Sequence, residues 1–172
     1  LEPRLATAKE VLRVHGREYF HELANTQGQF GTFDPDTYYQ PDSFEAAMLA
    51  AGGAMEACRA VMEGLCDRAM LLMRPPGHHC TATTPMGFCL LNNIAIAARY
   101  LQREFGLKRI AIVDFDVHHG NGTEDIFFRD GTVFFASLHQ HPLWPMTGLP
   151  AVSGDGEGQG TTLNIPLSPG TA

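Results

Sequence analysis

One stretch constrains the chain more than any other. Ile110-Ala111-Ile112-Val113 runs directly into Asp114-Phe115-Asp116-Val117-His118-His119-Gly120-Asn121-Gly122. A continuous apolar, β-branched run of this length is the pattern of a buried strand. In open α/β sheets, ligands gather where loops leave the carboxyl ends of strands. Here that loop carries acids and histidines. Asp116 and His118 stand two positions apart, so on an extended chain both side chains face one side. A carboxylate converging with an imidazole is a common zinc pair. The competing reading is that Asp114 and Asp116 shape turns or cap the helix that follows.

The remaining pattern supplies a framework for that strand. Residues 5–13 read as a short helix or an irregular arm, residues 17–22 as a helical continuation, and residues 25–40, with the Asp34-Pro35-Asp36 turn signal, as a loop. Ser43 is an N-cap candidate for a helix carrying Phe44, Ala47, Met48, Ala51, Met55, Cys58 and Met62 at helical spacing and ending near Gly64. Gly52-Gly53 within it suggests close packing on a sheet. Ala69-Met70-Leu71-Leu72-Met73, stopped by Arg74-Pro75-Pro76-Gly77, reads as a buried strand. Asn92 or Asn93 caps the next helix, whose apolar positions include Ile94, Ile96 and Leu101 and which Gly106 terminates. A central strand at 109–115, a helix at 122–128, a strand at 132–138, a Gly- and Pro-rich loop at 139–160 and a strand at 161–167 complete the series. Strands alternating with helices give an α/β fold, a parallel sheet flanked by helices.

Composition excludes more than it assigns. The 172 residues suit one domain, and 44% hydrophobic with 18% charged residues is a globular balance. A net charge of -7 argues against direct nucleic-acid binding, which needs a basic surface. No apolar run approaches the ~20 residues that span a bilayer. Cys58, Cys66, Cys80 and Cys89 form no CxxC pair, so neither a zinc ribbon nor a disulfide framework is expected. Reduced thiols point to a cytoplasmic compartment. Cys80 and Cys89 read as small buried hydrophobes. The chain starts Leu1-Glu2-Pro3-Arg4 without Met or a signal-peptide pattern, which suggests a trimmed or partial chain.

A second polar cluster follows the 69–73 run. His78 and His79 lie directly after the proline-stiffened turn. A tandem His can be two metal ligands, or a base with its electrostatic partner, because imidazole exchanges a proton near neutral pH. Two exposed loop histidines are the plain alternative.

Taken together, Arg74-Pro75-Pro76-Gly77-His78-His79, Pro85-Met86-Gly87-Phe88-Cys89, Asn92-Asn93 and Asp114-x-Asp116-x-His118-His119-Gly120-Asn121-Gly122-Thr123 closely resemble the zinc-dependent histone deacetylase superfamily. That superfamily includes acetylpolyamine amidohydrolases, and Asn121 with the RPPGHH form is similar to the class II branch and its bacterial relatives. The resemblance runs from about Asp36 to Thr171. It implies the arginase/deacetylase fold and zinc-dependent hydrolysis of an acetyl amide, on acetyl-lysine in protein or on a related acetylated amine. It implies that Asp116 and His118 are zinc ligands. It makes His79 the general base, with His78 as its electrostatic partner. It makes Asp114 the acid that orients the first histidine, and Asn121 the substitute for an acid that supports the second. Asp114, Asp116, His118, Ser137 and Leu138 would hold a structural potassium ion. Gly87 and Phe88 would wall an acyl-lysine tunnel, with Trp144 near the opposite wall. Packing in the core is the plain alternative for Phe88 and Trp144.

The resemblance also implies a third zinc ligand, an Asp on a later strand, and a Tyr after Gly-Gly that helps hold the oxyanion. Neither is found, since Tyr19, Tyr38, Tyr39 and Tyr100 all precede the zinc pair. Residues 1–172 therefore read as the N-terminal part of a single deacetylase catalytic domain, with the C-terminal part absent and the isolated chain poorly active. A polyamine-selective enzyme would need acids at its entrance, for which Asp34, Asp36 and Asp42 are candidates, and dimerisation is one way to build such a rim. A non-catalytic binding module is the reading from another class, motivated by the missing Asp and Tyr and opposed by the intact His pair.

Overall fold

In the first half of the chain, helices form where apolar residues recur at helical spacing and a polar residue stands ready to cap them. A computed structural model describes residues 1–171 and divides into two units, residues 1–107 and the remainder from 108.

The first unit holds α1 (Ala8–Val11), α2 (Arg17–Ala24), the strands β1 (Gly31–Thr32) and β2 (Tyr38–Tyr39), α3 (Ser43–Met62) and α4 (Asn93–Phe105). Thr7 and Glu10 make a reciprocal capping box on α1, which lets four residues hold a helical turn. The antiparallel β1–β2 pair lies inside the stretch expected to be loop. Asp42, not Ser43, is the N-cap of α3; the Ser43 hydroxyl instead accepts a bond from the Gln40 N–H at 2.9 Å. α4 begins and ends as expected. Asn92 Oδ1 accepts from the Ala95 N–H at 3.1 Å, and Gly106 closes the helix at φ +69°. α3 and α4 pack on each other, and Val11, Leu23, Met55, Leu90, Leu91 and Ile96 fill the core beside them.

Gly52 and Gly53 do permit a close approach, but not to a sheet. A Cβ at Gly52 would lie 1.7 Å from the Arg4 carbonyl oxygen, and one at Gly53 would lie 2.5 Å from Met73 Sδ. Gly53 thus admits the Met73 side chain, and Gly52 admits the N-terminal segment, which the Ala6 N–H bonds to the Met48 carbonyl at 2.9 Å and which Arg4 ties to Glu10 and Glu56.

The buried strand expected at residues 69–73 is corrected by the structure. No ladder forms there, and Met70 and Leu72 are more than four-fifths exposed. Apolar sequence makes a strand attractive, but a strand exists only where a neighbour accepts its backbone hydrogen bonds, and among the described residues none pairs with it.

The second unit is a parallel three-stranded sheet in the order β3 (Ile110–Asp114), β4 (Val133–Gln140), β5 (Thr162–Leu167). α5 (Asn121–Phe127) connects β3 to β4 and packs on β4, burying Phe127. β4 runs two residues beyond its expected end, taking in His139 and Gln140, and a short 3-10 turn (Gly156–Gly158) interrupts the loop before β5. Among the described residues the strand expected to be central, β3, lies at the sheet edge with only Ile112 buried, and β4 takes the middle. Among the described residues no helix is long and apolar enough to cross a membrane.

Gly52→Ala separates two opposing effects. Helix propensity alone would favour Ala by about 1 kcal/mol, whereas forcing a methyl into occupied backbone space costs about 1–3 kcal/mol or more. At 1.7 Å from a carbonyl the second effect wins, so the variant's thermal unfolding midpoint should fall. A raised midpoint would show that the N-terminal segment does not sit against α3.

Candidate functional site

In the first unit the tandem histidines occupy a turn fastened to the start of α4. The Cys80 N–H donates to the Gly77 carbonyl at 3.1 Å across the turn. Asn93 Nδ2 donates to the Pro75 carbonyl at 3.1 Å and Asn92 Nδ2 to the Cys80 carbonyl at 3.0 Å. Only glycine fits at position 77, since a Cβ there would lie 2.6 Å from the Asn93 backbone nitrogen. The turn brings the His78 and His79 rings to 3.9 Å between centroids at a 38° tilt. His79 is buried and His78 half-buried, so the reading of two exposed loop histidines fails.

The segment Met86 to Cys89 makes a second tight turn, closed by the Cys89 N–H to the Met86 carbonyl at 2.9 Å. Both central residues have positive φ, +56° at Gly87 and +67° at Phe88, the pattern of a primed turn. For a bulky residue such as Phe88 this conformation is costly, roughly 1–2 kcal/mol. It directs the Phe88 side chain outward, 54% exposed, so Phe88 is not core packing. An open cleft of about 250 Å³ is lined by Tyr38, Arg74, Pro75, Pro76 and Phe88. Cys80 and Cys89 are buried free thiols, and burial pushes the Cys80 thiol above its ordinary range. Asp34 uses its carboxylate locally, accepting from the N–H groups of Asp36 and Thr37 at 2.9 and 2.6 Å.

In the second unit β3 ends at Asp114, and the next residues leave the strand conformation. Asp116 and His118 nevertheless converge, by turns rather than strand alternation. The Asp116 N–H donates to Asp114 Oδ1 at 3.1 Å, and the His118 N–H to Asp116 Oδ1 at 2.8 Å. His118 Nδ1 then lies 3.4 Å from Asp116 Oδ1, and Trp144 meets the His118 ring edge-on at 6.0 Å. The turn-forming reading of the two acids is therefore correct, and it is compatible with the pairing of Asp116 and His118. Trp144 is 40% exposed, again not core. Sheet register sets Asp114 beside Ser137, and Leu138 follows on β4. Asn121 is the first residue of α5.

Behind this loop lies a buried polar layer that sequence reasoning missed. His119 Nδ1 meets Thr147 Oγ1 at 2.7 Å, and its Nε2 lies 3.3 Å from Glu124 Oε2, which accepts from Asn164 Nδ2 at 2.5 Å. The His119 and His139 rings are 4.7 Å apart. His139 Nε2–H donates to the Gly148 carbonyl at 3.0 Å, so Nδ1 is the ring's acceptor and takes the Ser137 hydroxyl proton at 3.0 Å. Burial, then the neighbouring His119, holds His139 below the ordinary imidazole range, in keeping with this neutral form. The period-two relation of Ser137 to His139 on one strand was the available signal.

With this geometry in view, the chain matches the family model described as histone deacetylase domain over residues 1–172. It is 47% identical over 171 residues to a probable deacetylase of Archaeoglobus fulgidus, covering 99% of this chain and 47% of the relative. It is 42% identical to a histone deacetylase-like amidohydrolase of Pseudomonas aeruginosa, covering 96% of this chain and 44% of the relative. Among solved structures, the HDA15 HD domain superposes with a TM-score of 0.93 at 38% identity, covering 96% of this chain and 48% of that one. The chain thus spans about half the length of the curated relatives it matches.

One more buried histidine lies in the first unit. His15 Nε2 accepts from the Asn92 N–H at 3.0 Å, and its ring packs on Tyr19 at 5.6 Å. Burial, only partly offset by the facing carbonyls of Ala82 and Thr81, pushes its pKa down to about 4. The unfolded chain therefore binds a proton that the folded chain refuses. His15 contributes stability that is complete above pH 6.5 and is lost as pH falls toward 4. Unfolding free energy measured between those limits should decline with falling pH by up to about 1.4 kcal/mol per pH unit from this group. His15→Gln should flatten that slope, and an unchanged slope would refute the assignment.

Proposed function

Because the chain belongs to the histone deacetylase domain family, we propose that it is the N-terminal part of a catalytic domain that hydrolyses acetyl amides with zinc, on acetyl-lysine or a related acetylated amine. The observation that carries this reading is the convergence of Asp116 and His118 at the carboxyl end of β3. The pair suits zinc in kind, one carboxylate and one imidazole. The His118 N–H occupies one Asp116 oxygen and leaves the other for a ligand bond. Among the described residues no third His, Cys, Asp or Glu completes a metal-binding group, so the fit extends to two ligands. Zinc held there would polarise the acetamide carbonyl and acidify a water molecule.

The chain's own residues would do the rest. His79 takes the proton of the attacking water, a role for which an imidazole held in a buried turn is suited. His78, its ring tilted against that of His79, serves as its electrostatic partner. Asp114 holds the metal-bearing loop in shape through the Asp116 N–H, and Asn121 is assigned the supporting role that the resemblance implies. Gly87, Phe88 and Trp144 would line the acyl-lysine tunnel; the strained, outward Phe88 supports that assignment, since such strain persists where function uses it. A potassium ion would be held by Asp114, Asp116, His118, Ser137 and Leu138. The Ser137 hydroxyl fits this role because it gives its proton to His139 and keeps lone pairs for a cation. Four free cysteines accord with a reducing, cytoplasmic setting.

In the full-length protein assayed on an acetyl-lysine peptide, His79→Ala should lower turnover by about 100- to 10,000-fold, the range of general-base loss, while zinc stays bound. Near-normal turnover in that variant would overturn the assignment of the base.

A further inference from the structure

The tandem histidines are held by a relay that starts far away in sequence. Cys80 closes their turn, and its carbonyl accepts from Asn92 Nδ2 at 3.0 Å. Asn92 can offer that amide in only one orientation, because its Oδ1 is engaged by the Ala95 N–H. Its backbone N–H is engaged as well, by His15 Nε2. His15, Cys80 and Asn92 are all buried, so water cannot replace a lost partner.

The His15 contact is not needed to start α4, which the Asn92 side chain already caps. In a capping box the N-cap's own N–H is satisfied by a Glu or Gln at the third helical position. Here that position is Ala95, which has no such group, and His15 supplies the acceptor from 77 residues upstream. The residues around His15 are tied to the same loop. The Gly16 N–H donates to the Ala82 carbonyl at 2.8 Å, and the Tyr19 hydroxyl to the Leu90 carbonyl at 2.5 Å, on both sides of the relay. A neutral imidazole with its proton on Nδ1 is the one form that can accept here.

We infer that His15 is a positioning residue for the His78–His79 pair, acting through Asn92 and the Cys80 carbonyl to fix the turn that carries both rings. The inference rests on the reading of that pair as the proton-transfer group. It gives the N-terminal arm a part in the chemistry, although no residue of that arm is expected to touch substrate.

The test compares two replacements in the full-length protein. His15→Gln keeps a neutral acceptor, and His15→Phe keeps ring volume without one. His15→Phe should lower kcat on an acetyl-lysine peptide by about tenfold or more with KM little changed, since small misplacement of a reacting group carries losses of that order. His15→Gln should retain kcat within about threefold of wild type. The imidazole NMR resonances of His78 and His79 should shift in the Phe variant and return in the Gln variant. Should the Phe variant fail to fold, His15→Ala is read in the same way. Unshifted resonances with wild-type kcat in the acceptor-free variant would overturn the inference, as would equal losses in the Gln and acceptor-free variants. If the wild-type protein hydrolyses no acetyl amide, the proposed function fails by itself, and the ring resonances alone decide the role of His15.

Discussion

Two local hydrogen bonds set the shape on which the second unit's chemistry depends. The Asp116 N–H reaches back to the Asp114 carboxylate, and the His118 N–H reaches back to the Asp116 carboxylate. Each acid bonds the backbone two residues on, so the chain turns twice as it leaves β3. The second turn brings the Asp116 carboxylate against the His118 ring. Packing is close at Gly120, where a Cβ would displace the Asp114 carboxylate and press on the Phe135 ring. The Gln140 N–H, bonded to the Val117 carbonyl at 2.9 Å, ties the loop to the end of β4. Such a loop is preorganised, so little ordering entropy remains when it takes a ligand.

Both units use the same principle of support. A polar side chain that is expected to do chemistry is backed by a buried polar layer, although His15 Nδ1, His119 Nε2 and Asn164 Oδ1 within these layers have no hydrogen-bond partner among the described residues. In the second unit the layer is His119, Thr147, Glu124, Asn164, His139 and Ser137. In the first it is Asn92, His15, Tyr19 and the carbonyls of Cys80 and Leu90. Buried networks of this kind are costly when incomplete and rigid when complete. This explains why glycines crowd the two sites. Gly77 and Gly148 each bring backbone so near a network member that no side chain fits.

Much of this was legible in the sequence. The apolar period of α3 and α4, the Asn92 cap and the Gly106 stop placed both helices, and the three apolar runs from Ile110 onward placed the parallel strands. What the sequence could not convey was partnership. Residues 69–73 have a strand's composition but no ladder, and β3 has a core strand's composition but an edge position, because apolarity states a preference and only neighbours satisfy it. The turn-forming and ligand-forming readings of Asp114 and Asp116 looked like alternatives, yet one carboxylate has lone pairs enough for both. His15 and His139 went unnoticed because a single histidine has no pattern; its meaning lies in the N–H or hydroxyl it meets.

The central claim is that Asp116 and His118 are a metal-ligand pair shaped by these turns. X-ray absorption at the zinc edge of the metal-loaded full-length protein tests it most directly. The expected spectrum has only nitrogen and oxygen donors, at about 2.0–2.2 Å, with an imidazole signature that His118→Ala removes. A sulfur donor in the shell, or an imidazole signature unchanged in His118→Ala, would contradict it.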